Sequence, residues 1–178
     1  SLPAGEALRA VLPDAEAVEA PPVALVVRGY DRAQVGHALD AFGVLIPRDE
    51  RRRVLGVLFP SSVFPDGTPA GKVQLAAFVG GARALALGRL GDAELRALVD
   101  EELGELLGAR GAPEREWIAR WPRAIPQYTH GHGRFLAAMD AAEAAQPGLR
   151  FVGAYRGGVS LMSTLRRGAE LGSGLAGG

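Results

Sequence analysis

Few side chains in this sequence are of a type and spacing that could carry acid–base, nucleophilic or metal chemistry. There is no cysteine, and the three histidines are His37, His130 and His132. At the start of a predicted helix, His130 and His132 point about 200° apart rather than toward one ion. We therefore predict no metal site and no thiolate nucleophile, and we interpret His130 and His132 as a polar pair at a helix terminus.

The serines and carboxylates form no catalytic pattern either. No serine stands in the Gly-x-Ser-x-Gly turn that exposes a hydrolase nucleophile. The acidic run at 100–102, with Glu105, is predicted to lie on the solvated face of a helix. The arginine run at 51–53, beside the acidic pair at 49–50, is predicted to form a neutralised surface turn. The sequence therefore predicts no catalytic residue.

One glycine-rich corner is a candidate binding site. A predicted strand ends near Gly153, a turn follows through Gly157 and Gly158, and a predicted helix begins near Val159. The free backbone N–H groups and the positive dipole end of such a helix could hold a polarised carbonyl or an anion. Another glycine pair, at 80–81, follows a strand but does not continue into the Gly-x-Gly-x-x-Gly turn of dinucleotide-binding folds.

The elements that position this corner are predicted from apolar patterns and chain-breaking residues. Apolar or alternating runs predict strands at residues 23–27, 42–46, 54–59, 72–79, 117–125 and 149–154. Helical spacing predicts helices at 4–20, from a cap at Asp92 to a left-handed cap at Gly108, from a cap at Thr129 to 145, and at 159–171. The predicted fold class is α+β, a mostly antiparallel sheet of about five to seven strands packed against three or four helices. We expect a single domain over 1–178, with a flexible glycine-rich tail at 173–178.

Composition limits the functional classes open to the chain. Of its 178 residues, 48% are hydrophobic and 22% are charged, which is typical of a globular domain with a core. Twenty basic and twenty acidic side chains give no net charge, so we expect no nucleic acid partner. Because no apolar stretch reaches roughly 18 residues, we expect no transmembrane segment and a cytoplasmic location, either free or peripheral to the membrane.

Several segments match, in order and spacing, the motifs of one enzyme family. They are FGVLIP at 42–47, LGVLF at 55–59 followed by SSVFP at 61–65, FVGGAR at 78–83, WPRAIPQY at 121–128, GH at 131–132 and AYRG at 154–157. From about residue 21 to 171 the chain resembles the C-terminal part of protoporphyrinogen oxidase, a family of the flavin-containing amine oxidase superfamily. The resemblance implies an FAD enzyme of haem biosynthesis that oxidises protoporphyrinogen IX to protoporphyrin IX, with oxygen reoxidising the flavin.

The resemblance also implies which residues face ligands. The strands that match 42–47 and 55–59 help wall the family's substrate slot, so Leu45 and Phe59 are expected to face the substrate. The alternative is that both belong to the core of the sheet. For the flavin, the resemblance implies Trp121 beside the ring and a corner, where the last helix meets it, formed by Gly153, Gly157, Gly158, Val159 and Ser160.

Two departures from the family bear on the cofactor. The family's dinucleotide-binding strand, glycine loop and ribose-binding acid have no counterpart in this sequence, so FAD is implied by resemblance only and none is expected in the isolated chain. The corner also lacks the family's Asn after the glycine matched by Gly153 and its Pro-Asp pair, and it is one residue shorter.

Three interpretations of function stay open. The chain is a part of a flavin oxidase, inactive alone and completed by a second chain that carries the dinucleotide-binding fold. Alternatively, it is a non-catalytic module that binds a tetrapyrrole or another flat apolar ligand. In the third interpretation it is an interaction module that forms a homodimer through an uncovered apolar surface. The sequence does not distinguish protoporphyrinogen from coproporphyrinogen as the substrate.

Overall fold

The computed structural model describes Leu12 and residues 18–176. The helix predicted at 4–20 therefore lies almost wholly outside the described residues. The chain, for which we expected one domain, divides into two compact units. The first is Pro22–Pro122, and the second combines Ser1–Pro21 with Arg123–Gly178.

The first unit is built on one antiparallel sheet of five strands. Strands β1 to β5 span Val23–Asp31, Gly43–Leu45, Val54–Leu58, Lys72–Gly80 and Arg115–Trp121. They lie in the order β2-β3-β4-β1-β5, and every neighbouring pair is antiparallel. The predicted α+β class is confirmed. The pairing of β2, β3 and β4 follows chain order, whereas β1 inserts between β4 and β5.

Four helices accompany the sheet in the described part of the chain. The first unit contains α1, a single turn at Pro60–Val63, and α2 at Asp92–Leu107. The second unit contains α3 at His132–Ala145 and α4 at Leu161–Ala176. Short 3-10 turns at Arg32–Gln34, Arg48–Glu50, Pro65–Gly67 and Leu87–Arg89 link elements of the first unit.

One face of the sheet packs with α2 to form the core of the first unit. Burial alternates along β1, where Ala24, Val26, Arg28 and Tyr30 are buried and their neighbours are not. Helix α2 contributes buried side chains at intervals of three and four residues, which are Leu95, Leu98, Val99, Leu103 and Leu107. The intervening residues of each strand must then face the opposite side of the sheet.

The ends of α2 are set by glycine. Gly91, rather than the predicted Asp92, is the N-cap, and the carboxylate of Glu94 accepts a hydrogen bond from its N–H at 3.1 Å. At the other end, Gly108 has a φ of 64°, in the left-handed region that glycine adopts without strain. The predicted left-handed cap at Gly108 is confirmed.

Of the acidic side chains predicted on the solvated face of α2, Glu102 alone is buried, whereas Asp100, Glu101 and Glu105 are exposed as predicted. Glu102 of α2 is buried, and its carboxylate accepts hydrogen bonds from the backbone N–H and the guanidinium of Arg53. Arg52 and Arg53 also pair with Glu105 and Glu101. The arginine run is thus neutralised, as predicted, but Arg52 and Arg53 pair with carboxylates of α2 and not with the acidic pair at 49–50.

The second unit has a small core of its own. Its buried residues are Leu12, Val18, Phe135, Met139 and Phe151. The strand predicted at 149–154 is wrong, because this segment is irregular and the described strands of the chain all belong to the first unit. Its backbone bonds to a side chain instead, and the N–H of Phe151 donates to the carboxylate of Glu143 at 2.7 Å.

The helix ends of the second unit also differ from the prediction. Gly131 is the N-cap of α3 and no side chain caps the helix, so Thr129 does not cap it with its hydroxyl. Helix α4 begins two residues later than predicted and continues to Ala176, through the first part of the expected tail. Residues 177–178 lie outside the described residues.

Candidate functional site

The sheet face opposite α2 is an apolar surface of the first unit that lies outside its core. We call it the outer face and define it by seven side chains, Leu25, Val27, Leu45, Leu58, Phe78, Trp117 and Trp121. Directly opposed residues of antiparallel strands project to the same side. The register pairs Leu25 with Phe78 and Val27 with Trp117, which places these side chains on one face.

One row of the outer face crosses all five strands. It runs from Leu45 on β2 through Gly56, Phe78 and Leu25 to Ala119 on β5. The next row is equally apolar and consists of Gly43, Leu58, Ala76, Val27 and Trp117. Two adjacent rows without a charged side chain make a continuous apolar platform.

Between its larger side chains the platform contains glycines, Gly43 and Gly56, which have no side chain to project from the sheet. A Cβ on Gly56 would lie 2.6 Å from the carbonyl oxygen of Val44, and one on Gly43 would lie 2.5 Å from that of Val57. Both glycines are therefore required by the close approach of β2 and β3. They leave a shallow floor beside Leu45 and Leu58, which suits a flat ligand better than a branched one.

The outer face is more exposed than a core surface should be. Leu45 is 86% exposed, Trp117 is 61% exposed and Trp121 is 43% exposed. Leu25, Val27, Leu58 and Phe78 are of intermediate exposure. Contiguous exposed apolar surface of this kind marks a binding or interaction site in most proteins.

Charged residues, among them Lys72 and Arg115, border the platform beside Trp117. A cavity of about 330 Å³ lies there, lined by residues that include Val27, Lys72, Arg115 and Trp117. Lys72 is already paired, and its hydrogen bonds to Asp31 and Glu114 raise its pKa. Arg115 projects on the outer face opposite Gly29 and forms no ion pair with any residue that the structure describes.

Leu45 and Phe59, the two predicted substrate-facing residues, lie on opposite sides of the sheet. Leu45 belongs to the outer face. Phe59 follows Leu58 at the end of β3, so the alternation of the strand directs it to the core, where it is 0% exposed and 5.6 Å from the ring of His37. Phe59 is thus buried in the core of the sheet, as in the alternative that the sequence left open, and Leu58 has the outward position. The register of the β2–β3 hairpin, which pairs Gly43 with Leu58, is the signal that could have identified Leu58.

The predicted cofactor residue Trp121 ends β5 on the outer face, opposite Val23. The remaining predicted cofactor residues lie in the second unit, in the segment before α4, which we call the corner (153–160). Gly157 and Gly158 have φ values of 85° and 124°, so this turn depends on glycine. A Cβ on Gly153 would lie 2.4 Å from the ring of Tyr155.

Ser160 is the residue before α4 and occupies part of its N-terminus. Its hydroxyl accepts a hydrogen bond from the N–H of Ser163 at 3.1 Å, which is the usual role of an N-cap serine. Exposed Val159 precedes it. The N–H groups of Leu161 and Met162 have no hydrogen-bond partner in the part of the chain that the structure describes.

Tyr128, which we did not predict as a site residue, holds the corner together. Its hydroxyl donates to the carbonyl of Ala154 at 2.7 Å and accepts from the N–H of Gly158 at 3.1 Å. Its ring stacks on His132, with centroids 4.0 Å apart. A tyrosine in the segment WPRAIPQY gives no sign of this role, because the hydrogen bonds reach residues 26 and 30 positions away.

The corner also carries a partly buried ion pair. Glu143 of α3 accepts hydrogen bonds from Arg156 and from the N–H of Phe151. Burial opposes ionisation of Glu143, but these hydrogen bonds prevail and hold the pKa of the carboxyl below its ordinary value. Arg156 pairs with Asp140 as well, so the corner is joined to α3 by two carboxylates.

The corner fits one polarised carbonyl group, such as one on the pyrimidine end of a flavin ring, and little more of FAD. Two free N–H groups at the start of α4 suit a carbonyl oxygen. The spacing Gly-x-Gly-x-x-Gly does occur at Gly172, Gly174 and Gly177. However, the first two lie inside α4 rather than between a strand and a helix, and Gly177 is outside the described residues. This spacing therefore forms no pyrophosphate-binding turn in the described chain.

Two further observations concern the described residues only. No three of their histidine and carboxylate side chains are grouped closely enough to bind a metal ion. None of their helices combines the length and apolar character needed to cross a membrane. A location at the membrane periphery stays a prediction.

Comparison with protein families gives one match that covers most of the chain. A model described as flavin containing amine oxidoreductase matches residues 3–163. This range includes all of the first unit and all of the corner.

Curated relatives with similar sequences are porphyrinogen oxidases. The chain is 36% identical over 152 residues to the mitochondrial protoporphyrinogen oxidase of Nicotiana tabacum and 28% identical over 147 residues to the coproporphyrinogen III oxidase of Bacillus subtilis (strain 168). These matches cover 84% and 82% of the chain but 30% and 31% of the relatives. The chain thus spans about 30% of the length of the curated relatives it matches.

A similar fold occurs in a solved structure. A crystal structure from Exiguobacterium sp. 255-15, described as a protoporphyrinogen oxidase, superimposes with a TM-score of 0.80 at 21% sequence identity. The match covers 98% of this chain and 40% of that one. At this identity the similarity supports the fold alone.

Proposed function

The chain belongs to the flavin containing amine oxidoreductase family, and on that premise we propose that it supplies the tetrapyrrole-binding wall and the flavin-facing corner of a porphyrinogen oxidase. The resemblance derived from the sequence motifs is confirmed at the level of the family. The relatives are protoporphyrinogen and coproporphyrinogen oxidases, which supports a tetrapyrrole as the ligand class.

The single observation that carries the proposal is the outer face of the sheet. It is apolar over two adjacent rows, low in the middle because of Gly43 and Gly56, and bordered by Trp117 and Trp121. Neighbouring strands lie about 4.8 Å apart, so a planar macrocycle would cover two or three of them. Aromatic side chains at the border would stack on or against such a ring.

Arg115 supplies the polar contact that a tetrapyrrole needs. It lies on the outer face beside Trp117, is exposed, and has no carboxylate partner among the described residues. A propionate group of a tetrapyrrole is a carboxylate, which a guanidinium binds through two parallel hydrogen bonds. The apolar platform would thus bind the ring while Arg115 fixes its orientation.

The second part of the proposal concerns a partner chain. When bound, the flavin supplies the two-electron oxidation, and this chain's residues would hold the macrocycle and offer the N–H groups of Leu161 and Met162 to a ring carbonyl. The contacts that bind the rest of FAD would come from a second chain that carries the dinucleotide-binding fold. We expect no stoichiometric FAD and no porphyrinogen oxidation from the isolated chain.

Titration with protoporphyrin IX tests the proposal. The only two tryptophans of the chain, Trp117 and Trp121, both lie on the outer face, so their fluorescence reports binding there. We expect saturable quenching. Leu45→Asp should weaken it about tenfold or more, because it removes an apolar contact and places a charge under the ring.

Leu85→Asp is the matched control, since Leu85 is an exposed leucine of the same unit outside the outer face. It should leave the titration unchanged. Absence of quenching, or equal weakening by both variants, would contradict the proposal.

A second candidate function is self-association. Leu161, Met162 and Leu165 form an exposed apolar face of α4, in addition to the outer face of the sheet. Apolar surfaces of this kind favour a homodimer. Sedimentation of the same samples separates the two functions: a stable dimer that binds no porphyrin supports self-association instead.

A further inference from the structure

The second unit contains a polar cavity that the proposed function does not use. Its volume is about 350 Å³, and it lies at the N-terminal end of α3. The residues that line it include Gln127, Thr129, His132, Arg134 and Phe135. None of the described residues around it is a carboxylate.

The end of α3 that faces this cavity is not capped. Gly131, its N-cap, has no side chain to accept a hydrogen bond. The N–H groups of His132 and Arg134 are bonded to the carbonyls of Thr129 and Gly131, whereas that of Gly133 has no partner among the described residues. A helix of 14 residues also places the positive end of its dipole here. A free N–H group and this dipole both favour a negatively charged ligand.

His132 gives an independent indication of a missing ligand. The side chain lines the cavity, is only 9% exposed, and its Nε2 atom is buried without a hydrogen-bond partner. A buried polar atom without a partner costs free energy, so such atoms in native proteins usually meet a ligand or a bound water. The ring itself is held in place by stacking on Tyr128.

Arg134 adds a positive charge to the same site. It is exposed and forms no ion pair within the described residues, unlike Arg156 in the same unit. One terminal nitrogen of its guanidinium lies 3.7 Å from the position that a Cβ would take on Gly131. The side chain thus folds back over the start of α3 instead of extending into solvent.

We infer that this cavity binds an oxyanion, a phosphate or carboxylate group, between the guanidinium of Arg134, the imidazole of His132 and the N-terminus of α3. The hydroxyl of Thr129, which no described residue engages, supplies a further donor. All four groups can donate hydrogen bonds, and the lining carries no negative charge to oppose them. The volume admits a compact group with a short substituent.

Titration of the full chain with inorganic phosphate, and separately with propionate, tests the inference. NMR signals of the three histidine rings report the binding site directly. We expect a saturable shift of the His132 ring, while His37, in the other unit, does not move. Binding of either ion supports the site, and the tighter of the two identifies the group it prefers.

Two variants test the donors. Arg134→Gln and His132→Phe should each weaken binding about tenfold, because each removes a charge-assisted or buried hydrogen bond. Binding to His132→Phe is followed on the backbone amide signal of Gly133, since this variant lacks the reporting ring. In His132→Phe the new ring can still stack on Tyr128. In Arg134→Gln the substituted side chain is exposed, so we expect this variant to keep its fold. Arg166→Gln, at an exposed arginine of α4 without an ion pair in the described chain, is the matched control.

The inference is overturned by three results. The first is the absence of a saturable shift with both ions. The second is a shift that leaves His132 unmoved. The third is equal weakening by Arg134→Gln and Arg166→Gln, which would indicate diffuse attraction to positive charge instead of a site. None of these results bears on the outer face, so the proposed function is tested separately.

Discussion

Phe59 and its neighbour Leu58 show how far single residues could be assigned from the sequence. The family motif pointed to a strand that the structure contains, but a strand has two sides, and the motif does not distinguish them. The register of the β2–β3 hairpin makes the distinction, because it pairs Leu58 with Gly43 and leaves Phe59 in the core. Side-chain direction therefore needed the structure, whereas the location of the strand did not.

Phe59→Ala should lower the free energy of unfolding by about 3–5 kcal/mol, because it opens a cavity in a fully packed core. Leu58→Ala, at a half-exposed position, should cost about 1 kcal/mol and should weaken protoporphyrin IX binding more than it lowers stability. Urea unfolding and porphyrin titration of both variants make the comparison. If Phe59→Ala stays stable but loses porphyrin binding, Phe59 faces the ligand and our assignment is wrong.

Buried charges were beyond sequence analysis for a different reason. Arg28 is buried on the helix-facing side of β1, where it bonds to Tyr30, Asp100 and Glu116. Glu102 is buried because Arg53 reaches it from the β2–β3 connection, 49 residues away in sequence. A run of charged residues indicates a solvated face only when no run of opposite charge packs against it. In this fold the arginine run at 51–53 packs against the acidic residues of α2.

The regular elements were largely predictable. Apolar runs located β1 to β4, and the spacing of leucines with Gly108 located α2 and its end. The exception, at 149–154, has the same apolar character as the true strands, but the described residues of its own unit contain no strand with which it could pair. Local pattern predicts the tendency to form a strand, while pairing depends on neighbours that the pattern does not specify.

The corner should be sensitive to acid because of Glu143. Its pKa is lowered in the folded chain, so its contribution to stability is present above the ordinary value of 4.5 and is lost as the pH falls below it. Glu143→Gln keeps an oxygen for the N–H of Phe151 but loses the charge that attracts Arg156, and should cost about 1–2 kcal/mol at pH 7.

Chemical denaturation of the wild type and Glu143→Gln from pH 7 to pH 3 makes this measurement. The difference between them should begin to shrink as the pH falls below about 4.5, and it should disappear once the pH has fallen through the lowered pKa of folded Glu143, because both side chains are then uncharged. The other carboxylates titrate equally in both proteins, so their contributions cancel in the difference between the two free energies of unfolding. A difference that stays constant over this range would show that the ionised carboxylate does not stabilise the corner.

The chain as a whole combines two compact units, each with its own core, and spans about 30% of its curated relatives. Family membership was predictable because the motifs recur in fixed order, but the motifs do not show which surfaces lack a partner. That information comes from burial: an apolar sheet face with Leu45 exposed, and an apolar helix face at Leu161 and Leu165. Exposed apolar surfaces of this kind are typical of chains that bind a ligand or another polypeptide.

The most direct test of the outer face as the tetrapyrrole wall is a methyl NMR spectrum recorded during titration with protoporphyrin IX. The ring current of the macrocycle shifts methyl groups that lie against its plane. We expect shifts for the methyl groups of Leu25, Leu45 and Leu58, and none for Leu75 and Leu103 in the core behind them. Shifts confined to Leu161 and Leu165 of α4, or no shift at all, would contradict this expectation.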